Sequence, residues 1–227
     1  MEVLSKNYPN KTRRAFSDAK GHSVIELLIV VGIIVILSAL TIFSLVGHKK
    51  AYKTDDQALQ VLDFIREANS RALTFREVMR LEIDTTDNKI RIIDENLSTT
   101  STDDKEYRSM PLEKGTDVVV DQTPAGVTIP TPPGYTAAVY ATDGIGHLEG
   151  TTPVNGHRVW SIRFRADGTV VNNANAVTSA TLFLYPPIAP ATLGTPKTKP
   201  QVRAITIFGG SVGVRLWKHN GTTFVAS

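Results

Sequence analysis

The sequence predicts an α+β protein in which a long amino-terminal helix precedes an antiparallel β-rich head. Two observations predict the helix: an apolar run over residues 27–46, and an amphipathic stretch over 57–75. A third predicts the head, because apolar and polar residues alternate in several short segments that are separated by turn-forming residues. The expected parts are 22–47 for the apolar half of the helix, 48–78 for its amphipathic half and 79–227 for the head.

The composition excludes several kinds of site. The chain of 227 residues has no cysteine, which rules out disulfide scaffolds, thiolate zinc sites, iron–sulfur clusters and cysteine nucleophiles. Of its 25 basic and 22 acidic residues, five basic and two acidic ones fall within positions 1–21, so the rest of the chain carries no net charge. A neutral head argues against a dedicated nucleic-acid-binding domain. We predict no cofactor and no metal site.

The apolar run over 27–46 contains no charged residue. A helix of this span is about 30 Å long, which is the hydrocarbon thickness of a bilayer. Five basic residues precede the run, and Lys49, Lys50 and Lys53 follow it. This modest bias favours a cytoplasmic amino terminus and an external head. We therefore expect residues 22–47 to form a single transmembrane helix.

One carboxylate, Glu26, lies directly before the apolar run. An ionisable residue costs about 2.5 to 3.5 kcal/mol at the centre of a bilayer and less near its surface. Glu26 therefore either has a cationic partner or lies at headgroup depth as a helix-start acid favoured by the helix dipole. Its position alone leaves both interpretations open.

These residues together resemble the class III signal of type IV pilins and type II secretion pseudopilins. The family pattern is a basic leader, a glycine, a variable residue, Thr or Ser, two aliphatic residues, a glutamate and a long apolar run. The matching residues are Gly21, Ser23, Val24, Ile25, Glu26 and the run 27–46. His22 stands where the family usually has Phe. Phe43 stands where major pilins often have Pro, which favours a minor pilin or pseudopilin.

The resemblance implies processing, assembly and location. A prepilin peptidase and methyltransferase would remove a cytoplasmic leader, residues 1–21, by cutting between Gly21 and His22, and would methylate the new amine of His22. Glu26 would then pair with the amino terminus of a neighbouring pilin or pseudopilin subunit, which offsets the desolvation of both charges. The implied location is the bacterial inner membrane, with a single span and the carboxy-terminal head in the periplasm or outside the cell.

The resemblance also implies a pilin-like fold, in which one continuous helix packs its second half on an antiparallel sheet. The residues expected in that interface recur every three or four positions: Ala58, Val61, Leu62, Ile65, Ala68, Ala72 and Phe75. Loops are expected at 94–110, 122–134 and 186–200, where polar residues, Pro and Gly predominate.

The alternation predicts specific strands in the head. They are a hairpin of 79–84 with 90–92, then 118–120, 135–141, 160–165, 181–185, 202–208 and 212–218. The last two flank Gly209-Gly210-Ser211, a glycine-rich hairpin turn. The phrase Phe164 to Gly168 and this closing hairpin resemble minor pseudopilin H and its competence relative, whereas residues 94–155 match nothing in that family.

Three functions from different classes are possible on these grounds. The favoured one is a structural subunit, a minor pseudopilin or pilin that assists filament assembly or contacts cargo through its head. The second is a DNA-uptake minor pilin, in which Arg203, Arg215 and Lys218 contact phosphates. That reading is disfavoured, because competence members carry a tighter Gly-Arg-x-Arg motif.

The third function, a membrane-tethered hydrolase, is also disfavoured. The segment 209–213 fits G-x-S-x-G, but a nucleophile elbow needs a helix after the turn and here a strand pattern follows. The histidines show no paired metal-ligand spacing. A loop site built from Asp143, His147, Glu149 and His157 is considered and disfavoured, so we expect no enzymatic activity.

Overall fold

The protein is described from a computed structural model. The described residues are 23–95, 104–115, 117–121, 123–131, 140–141, 146–172, 174–189, 194–210 and 213–227, and for 40–51, 121 and 140–141 this covers the backbone alone. The predicted leader and the cleavage site, Gly21 and His22, lie outside them. The chain divides into two compact units, one spanning Met1–Leu45 and the other Val46–Ser227.

The described part of the chain contains one α-helix, α1, over Val24–Phe75. It begins where the backbone N–H groups of Glu26 and Leu27 donate to the carbonyl of Ser23, at 3.0 and 3.2 Å. It ends where Arg76 takes a left-handed conformation with φ of 58°, a common way to terminate a helix. The predicted boundary at residue 78 was therefore wrong, because Val78 already belongs to the first strand.

Thirteen strands follow in the described residues, and one 3₁₀ turn, Lys199–Gln201, precedes β11. The strands are β1 (Val78–Asp84), β2 (Lys89–Glu95), β3 (Lys105–Pro111), β4 (Val119–Asp121), β5 (Tyr140–Ala141), β6 (His147–Glu149), β7 (Thr152–Val154), β8 (Val159–Phe164), β9 (Val170–Val171), β10 (Ala180–Tyr185), β11 (Arg203–Ile207), β12 (Val214–His219) and β13 (Phe224–Ala226).

The strands form two sheets. The first has the order β5-β8-β1-β2-β3-β6-β7, with β9 paired to β8, and the second has the order β13-β12-β11-β10-β4. The described pairings are antiparallel except for β3 with β6, which meet in parallel at Lys105 and Leu148. The predicted hairpin is present as β1 and β2, with Leu81 opposite Ile92 and Ile83 opposite Ile90. The head is thus a mixed α/β structure built on antiparallel sheets, as expected.

The main core lies between the second half of α1 and both sheets. Its members include Val61 and Ile65 from α1, Leu81 from β1, and Leu182 and Ile205 from β10 and β11, and all are at most 1% exposed. The predicted stripe is buried from Ala58 to Ala72, but Phe75, in the last turn, is 56% exposed. Phe64, which the stripe omitted, is buried at 2% exposure. Packing on the sheets therefore confirms the amphipathic interpretation for all of the stripe except its last residue.

The second sheet is covered on its other face as well. There Phe183, Tyr185, Trp217 and Phe224 form a smaller buried cluster with Val119, Val127, Val202 and Ala204. Both faces of β10 and β11 are buried. Residues 182–185 of β10 form a continuous apolar run, a pattern typical of strands covered on both sides, whereas β11 also carries the buried polar residues Arg203 and Thr206. The closing hairpin is present, with Ile207 of β11 opposite Val214 of β12.

The predicted loop at 94–110 was wrong over its second half. Residues 105–111 form β3, which pairs with β2 from Lys89 opposite Pro111 to Asp94 opposite Lys105. Most side chains of β3 are exposed, so the strand lacks the apolar alternation by which a half-buried strand is recognised. β3 is held by backbone hydrogen bonds to β2 and by ion pairs such as that between Arg91 and Glu106, rather than by apolar packing. Residues 96–103 lie outside the described part of the chain.

Candidate functional site

The first unit presents a helical surface that is apolar on all sides. From Val24 to Leu37 the large apolar side chains of α1 are between 49% and 82% exposed. Glu26 is the acidic residue of its first turn. Within the described residues, no helix combines the length and the apolarity that crossing a membrane requires. The apolar run of the sequence continues through residues 40–46, whose side chains are outside the described set.

The three cations proposed for nucleic-acid contact have different surroundings. Arg203 is 8% exposed and forms a bidentate ion pair with Asp55 on α1, with Nε to Oδ1 at 2.5 Å and Nη2 to Oδ2 at 3.0 Å. This hydrogen bonding holds the pKa of Asp55 below its usual range. Lys218 lies 3.8 Å from the same carboxylate, and the Arg215 guanidinium stacks 5.3 Å from the Trp217 ring centroid. Arg203 is thus committed to an ion pair within the head, whereas Arg215 and Lys218 are exposed.

The first sheet carries a buried charged face that the sequence analysis did not predict. Arg80, Glu82 and Asp84 alternate with the apolar residues of β1, and all three are fully buried, as is Arg91 on β2. Arg91 lies opposite Glu82 in the antiparallel register. Because an isolated buried charge is prohibitively expensive, these residues require ionic partners. The partners come from β3, from β6 and from the segment around residue 157.

Arg91 is the centre of this face. Its guanidinium contacts four carboxylates: Asp84 at 2.5 Å, Glu149 at 2.6 Å, Asp87 at 2.8 Å and Glu106 at 3.1 Å. Burial alone would raise the pKa of Asp84, but hydrogen bonds from the Asp87 backbone, from His157 and from Arg91 lower it below its usual range. Arg91 therefore joins β1, β2, β3 and β6 through one side chain.

Arg80 forms a second centre on the same face. It pairs with Glu95 and with Asp104, the latter at 2.9 Å, and donates to the carbonyl of Gly146 at 3.3 Å. Its Nε lies 3.4 Å from Glu82. We call the ionic residues joined to Arg80 and Arg91 the β1–β2 charge cluster. Its members are Arg80, Glu82, Asp84, Asp87, Lys89, Arg91, Glu95, Asp104, Glu106, Glu149 and Arg163.

Two side chains, one within this cluster and one beside it, are buried without hydrogen bonds among the described residues. Among the described residues, neither ring nitrogen of His147 and neither carboxylate oxygen of Glu82 has a hydrogen-bond partner. Their closest approach, His147 Nδ1 to Glu82 Oε1, is 3.7 Å. Burial raises the pKa of Glu82 to about 7, and burial together with the charges of Arg91 and Arg80 lowers the pKa of His147 to about 4. Each unsatisfied buried group costs about 1 to 3 kcal/mol.

In the part of the chain that the structure describes, two groups of side chains have the spacing to bind a metal ion. One is Asp84, Asp87 and His157, and the other is Glu106, His147 and Glu149. His147, Glu149 and His157 were considered in the sequence as members of a loop site, but no metal site was predicted. The contributions of Glu106 and Glu82 were missed. The available signal was the alternation of charged and apolar residues along β1, which predicted only a strand of the β1–β2 hairpin. Asp143 lies outside the described residues.

The G-x-S-x-G segment is flanked by strands. β11 ends at Ile207 and β12 begins at Val214, so strand, turn and strand succeed one another where a nucleophile elbow has a helix. Gly209 N–H donates to the Ser179 hydroxyl at 2.9 Å. Ser211 itself lies outside the described part of the chain.

Comparisons with known proteins found little. No family model matches the sequence, and no curated protein matches it. Among solved structures, the minor pseudopilin EpsH from the type 2 secretion system of Vibrio cholerae resembles the chain at 11% identity and a TM-score of 0.41. The match covers 73% of this chain and 97% of that one. A likeness this weak carries no argument about family or function.

Proposed function

We propose that this chain is a membrane-anchored structural subunit of the pilin or pseudopilin kind, a minor component of a filament assembled at the bacterial inner membrane. The observation that carries the proposal is the first part of α1. Over Val24 to Leu37, large apolar side chains cover the helix on all sides and are about half to four-fifths exposed. A surface of this kind is stable only when lipid or other apolar helices cover it.

Glu26 gives that surface a specific pairing role. It is the acidic residue in the first turn of α1 and is followed by apolar residues through position 37. A carboxylate among packed apolar helices is penalised unless a cation meets it. The amino terminus of a neighbouring subunit, produced by cleavage between Gly21 and His22, is the cation that we propose.

The head supports a structural role by its construction. Its helix is fixed to both sheets by the main core. A strand follows the turn after β11 where a nucleophile elbow needs a helix, and Arg203 is paired with Asp55 within the head. The head would therefore act through its surface, by contact with neighbouring subunits or with cargo. We propose that it lies on the outer side of the inner membrane.

Processing of the amino terminus tests the proposal. The full chain, co-expressed with a prepilin peptidase, should lose residues 1–21, as read by intact mass. Gly21→Ala should block or strongly slow cleavage, because the resemblance implies a small, flexible residue at the cut. Gly32→Ala is the matched control, since a Cβ at that position meets nothing within 4 Å, and it should be processed like the wild type. An unprocessed wild type would contradict the proposal.

A further inference from the structure

Three side chains from β3 and β6 converge beside the buried charged face. One ligand atom from each of Glu106, His147 and Glu149 lies within 4.8 Å of the other two. Glu106 and Glu149 are partly buried, and His147 is 2% exposed. An imidazole and two carboxylates supply nitrogen and oxygen donors of the types found in protein zinc sites.

His147 is the independent observation that points to a ligand. Its ring is buried, and within the described residues neither nitrogen donates or accepts a hydrogen bond. Buried polar groups in folded proteins nearly always have a partner, so an unpaired imidazole indicates a missing ion or water. Because its nitrogen lies within 4.8 Å of ligand atoms from two carboxylates, a cation suits the position better than a neutral donor.

Glu82 occupies the position of a supporting carboxylate. Its oxygens have no hydrogen-bond partner among the described residues, and Oε1 lies 3.7 Å from His147 Nδ1. In zinc sites a ligating histidine usually donates its other N–H to a carboxylate, which fixes the ring and strengthens its basicity. Glu82 can take that role while the second ring nitrogen of His147 faces the ion.

The carboxylates of the region outnumber its cationic side chains, so a bound cation is compatible with its charge balance. The β1–β2 charge cluster contains seven carboxylates, from Glu82, Asp84, Asp87, Glu95, Asp104, Glu106 and Glu149. Against these stand four cationic side chains, Arg80, Lys89, Arg91 and Arg163. Part of this excess is solvated, since Asp87 and Glu149 are 34% and 33% exposed, and the buried remainder can be neutralised by protons or by a bound cation.

We propose that Glu106, His147 and Glu149 bind a divalent transition-metal cation, with Glu82 supporting His147. Zinc is the preferred ion, because an imidazole nitrogen suits zinc whereas calcium and magnesium favour oxygen ligands alone. Arg91 donates to Glu106 and to Glu149, and so restricts the positions of both carboxylates. The ion would fasten β3 to β6, which pair in parallel at Lys105 and Leu148.

The second group, Asp84, Asp87 and His157, is the alternative position for the ion. Its histidine already has a partner, because His157 Nδ1 lies 2.6 Å from Asp84 Oδ2. The carboxylates of both groups contact Arg91, so the histidine is what distinguishes the two groups. His157 therefore differs from His147 in having a partner. The two histidines allow an experiment that separates the two positions.

The test is zinc binding by the untagged full chain, purified in detergent and stripped with EDTA. Isothermal titration with ZnCl₂ should show saturable binding of one ion per chain, with CaCl₂ and MgCl₂ weaker by about tenfold or more. His147→Gln and Glu149→Gln should each weaken zinc binding by about 10- to 100-fold. His157→Gln is the matched control and should keep the wild-type affinity.

Three results would overturn the proposal: no saturable zinc binding by the wild type, unchanged affinity in His147→Gln, or a loss in His157→Gln as large as in His147→Gln. Circular dichroism checks that each variant is folded. If His147→Gln fails to fold, X-ray absorption at the zinc edge of the wild type decides instead. One imidazole with carboxylate oxygens is expected, and either two imidazoles or oxygen ligands alone would refute the site.

Discussion

Asp55 on α1 and Arg203 on β11, 148 positions apart in the sequence, form a bidentate ion pair with distances of 2.5 and 3.0 Å. The same guanidinium donates to the carbonyls of Pro200 and Val202, at 2.7 and 3.0 Å. Arg203 thus joins the helix to the second sheet and to the turn before β11. A planar five-donor side chain is suited to this geometry, and a lysine is not.

Removing Arg203 should destabilise the head measurably. Arg203→Ala leaves Asp55 without its main partner and frees two carbonyls, so we expect a loss of about 1 to 2 kcal/mol, limited because Asp55 is 29% exposed. Arg203→Lys should recover only part of the loss. Lys218→Ala is the matched control, since Lys218 is half-exposed and 3.8 Å from Asp55, and it should change stability by less than about 0.5 kcal/mol. Urea unfolding measures all three, and equal effects of Arg203→Ala and Lys218→Ala would contradict the assignment.

The same pair predicts a pH dependence. Hydrogen bonding from Arg203 lowers the pKa of Asp55 from its usual 3.8 in the folded state, so the folded state binds fewer protons there than the unfolded state does. The stabilisation is therefore present above pH 3.8 and is lost as the pH falls toward the lowered folded pKa. Asp55→Asn should be less stable than the wild type at pH 6 and should lose less stability on acidification. If the free energy of unfolding changed by the same amount in the wild type and in Asp55→Asn between about pH 6 and 3, Asp55 would make no contribution to the pH dependence of stability.

The main core predicts that residues 54–227 fold without the amino-terminal segment. Leu62, 5% exposed, faces both sheets from α1, so Leu62→Asp should unfold this fragment, because a buried unpaired carboxylate costs several kcal/mol. Leu59→Asp is the control on the same helix, since Leu59 is 51% exposed, and it should leave the fragment folded. Circular dichroism and thermal melting distinguish them. A fragment that lacks cooperative unfolding before any mutation would show that the core needs residues 1–53.

Arg91 should be the most costly single residue to remove from the charged face. Arg91→Ala leaves the buried carboxylate of Asp84 without its guanidinium and breaks three further ion pairs, so we expect a loss of about 3 to 5 kcal/mol. Arg108→Ala is the comparison, because Arg108 pairs with Glu67 on the surface and is 53% exposed. It should cost less than about 1 kcal/mol. Similar losses in the two variants would mean that the cluster contributes no more than a surface pair.

The predictable part of the fold was the part with one buried apolar face. The stripe of α1, the β1–β2 hairpin and the closing hairpin follow from residues such as Ile65, Leu81 and Ile207, whose spacing matches the period of their element. β3 was missed because its side chains are mostly exposed. Its position in the sheet depends on backbone hydrogen bonds and ion pairs with β2. Phe75 was assigned to the core because periodicity does not show where a helix ends.

The buried charged face could not be derived from local pattern. Alternation of Arg80, Glu82 and Asp84 with apolar residues normally indicates a strand with one solvent-exposed face. Here that face is covered by residues at or near β3, on β6 and at position 157. Only the tertiary structure brings Glu106 and Glu149 to Arg91. His147 and Glu149 are two residues apart on β6, but nothing in the sequence indicates that Glu82 lies beside them. In general, a site whose side chains come from strands far apart in the sequence cannot be recognised from local sequence patterns.

The pairing of Glu26 gives the most direct test of the proposed role as a filament subunit. Because the chain has no cysteine, Ser23→Cys and Leu27→Cys introduce the only thiols, and crosslinking between neighbouring subunits reports their packing. Glu26→Gln should leave membrane insertion and cleavage intact but reduce crosslinking and filament recovery, since an amide cannot compensate an incoming ammonium. Asp63→Asn, an exposed carboxylate-to-amide change on the same helix, should behave like the wild type. Equal crosslinking and equal filament recovery in wild type and Glu26→Gln would contradict the pairing.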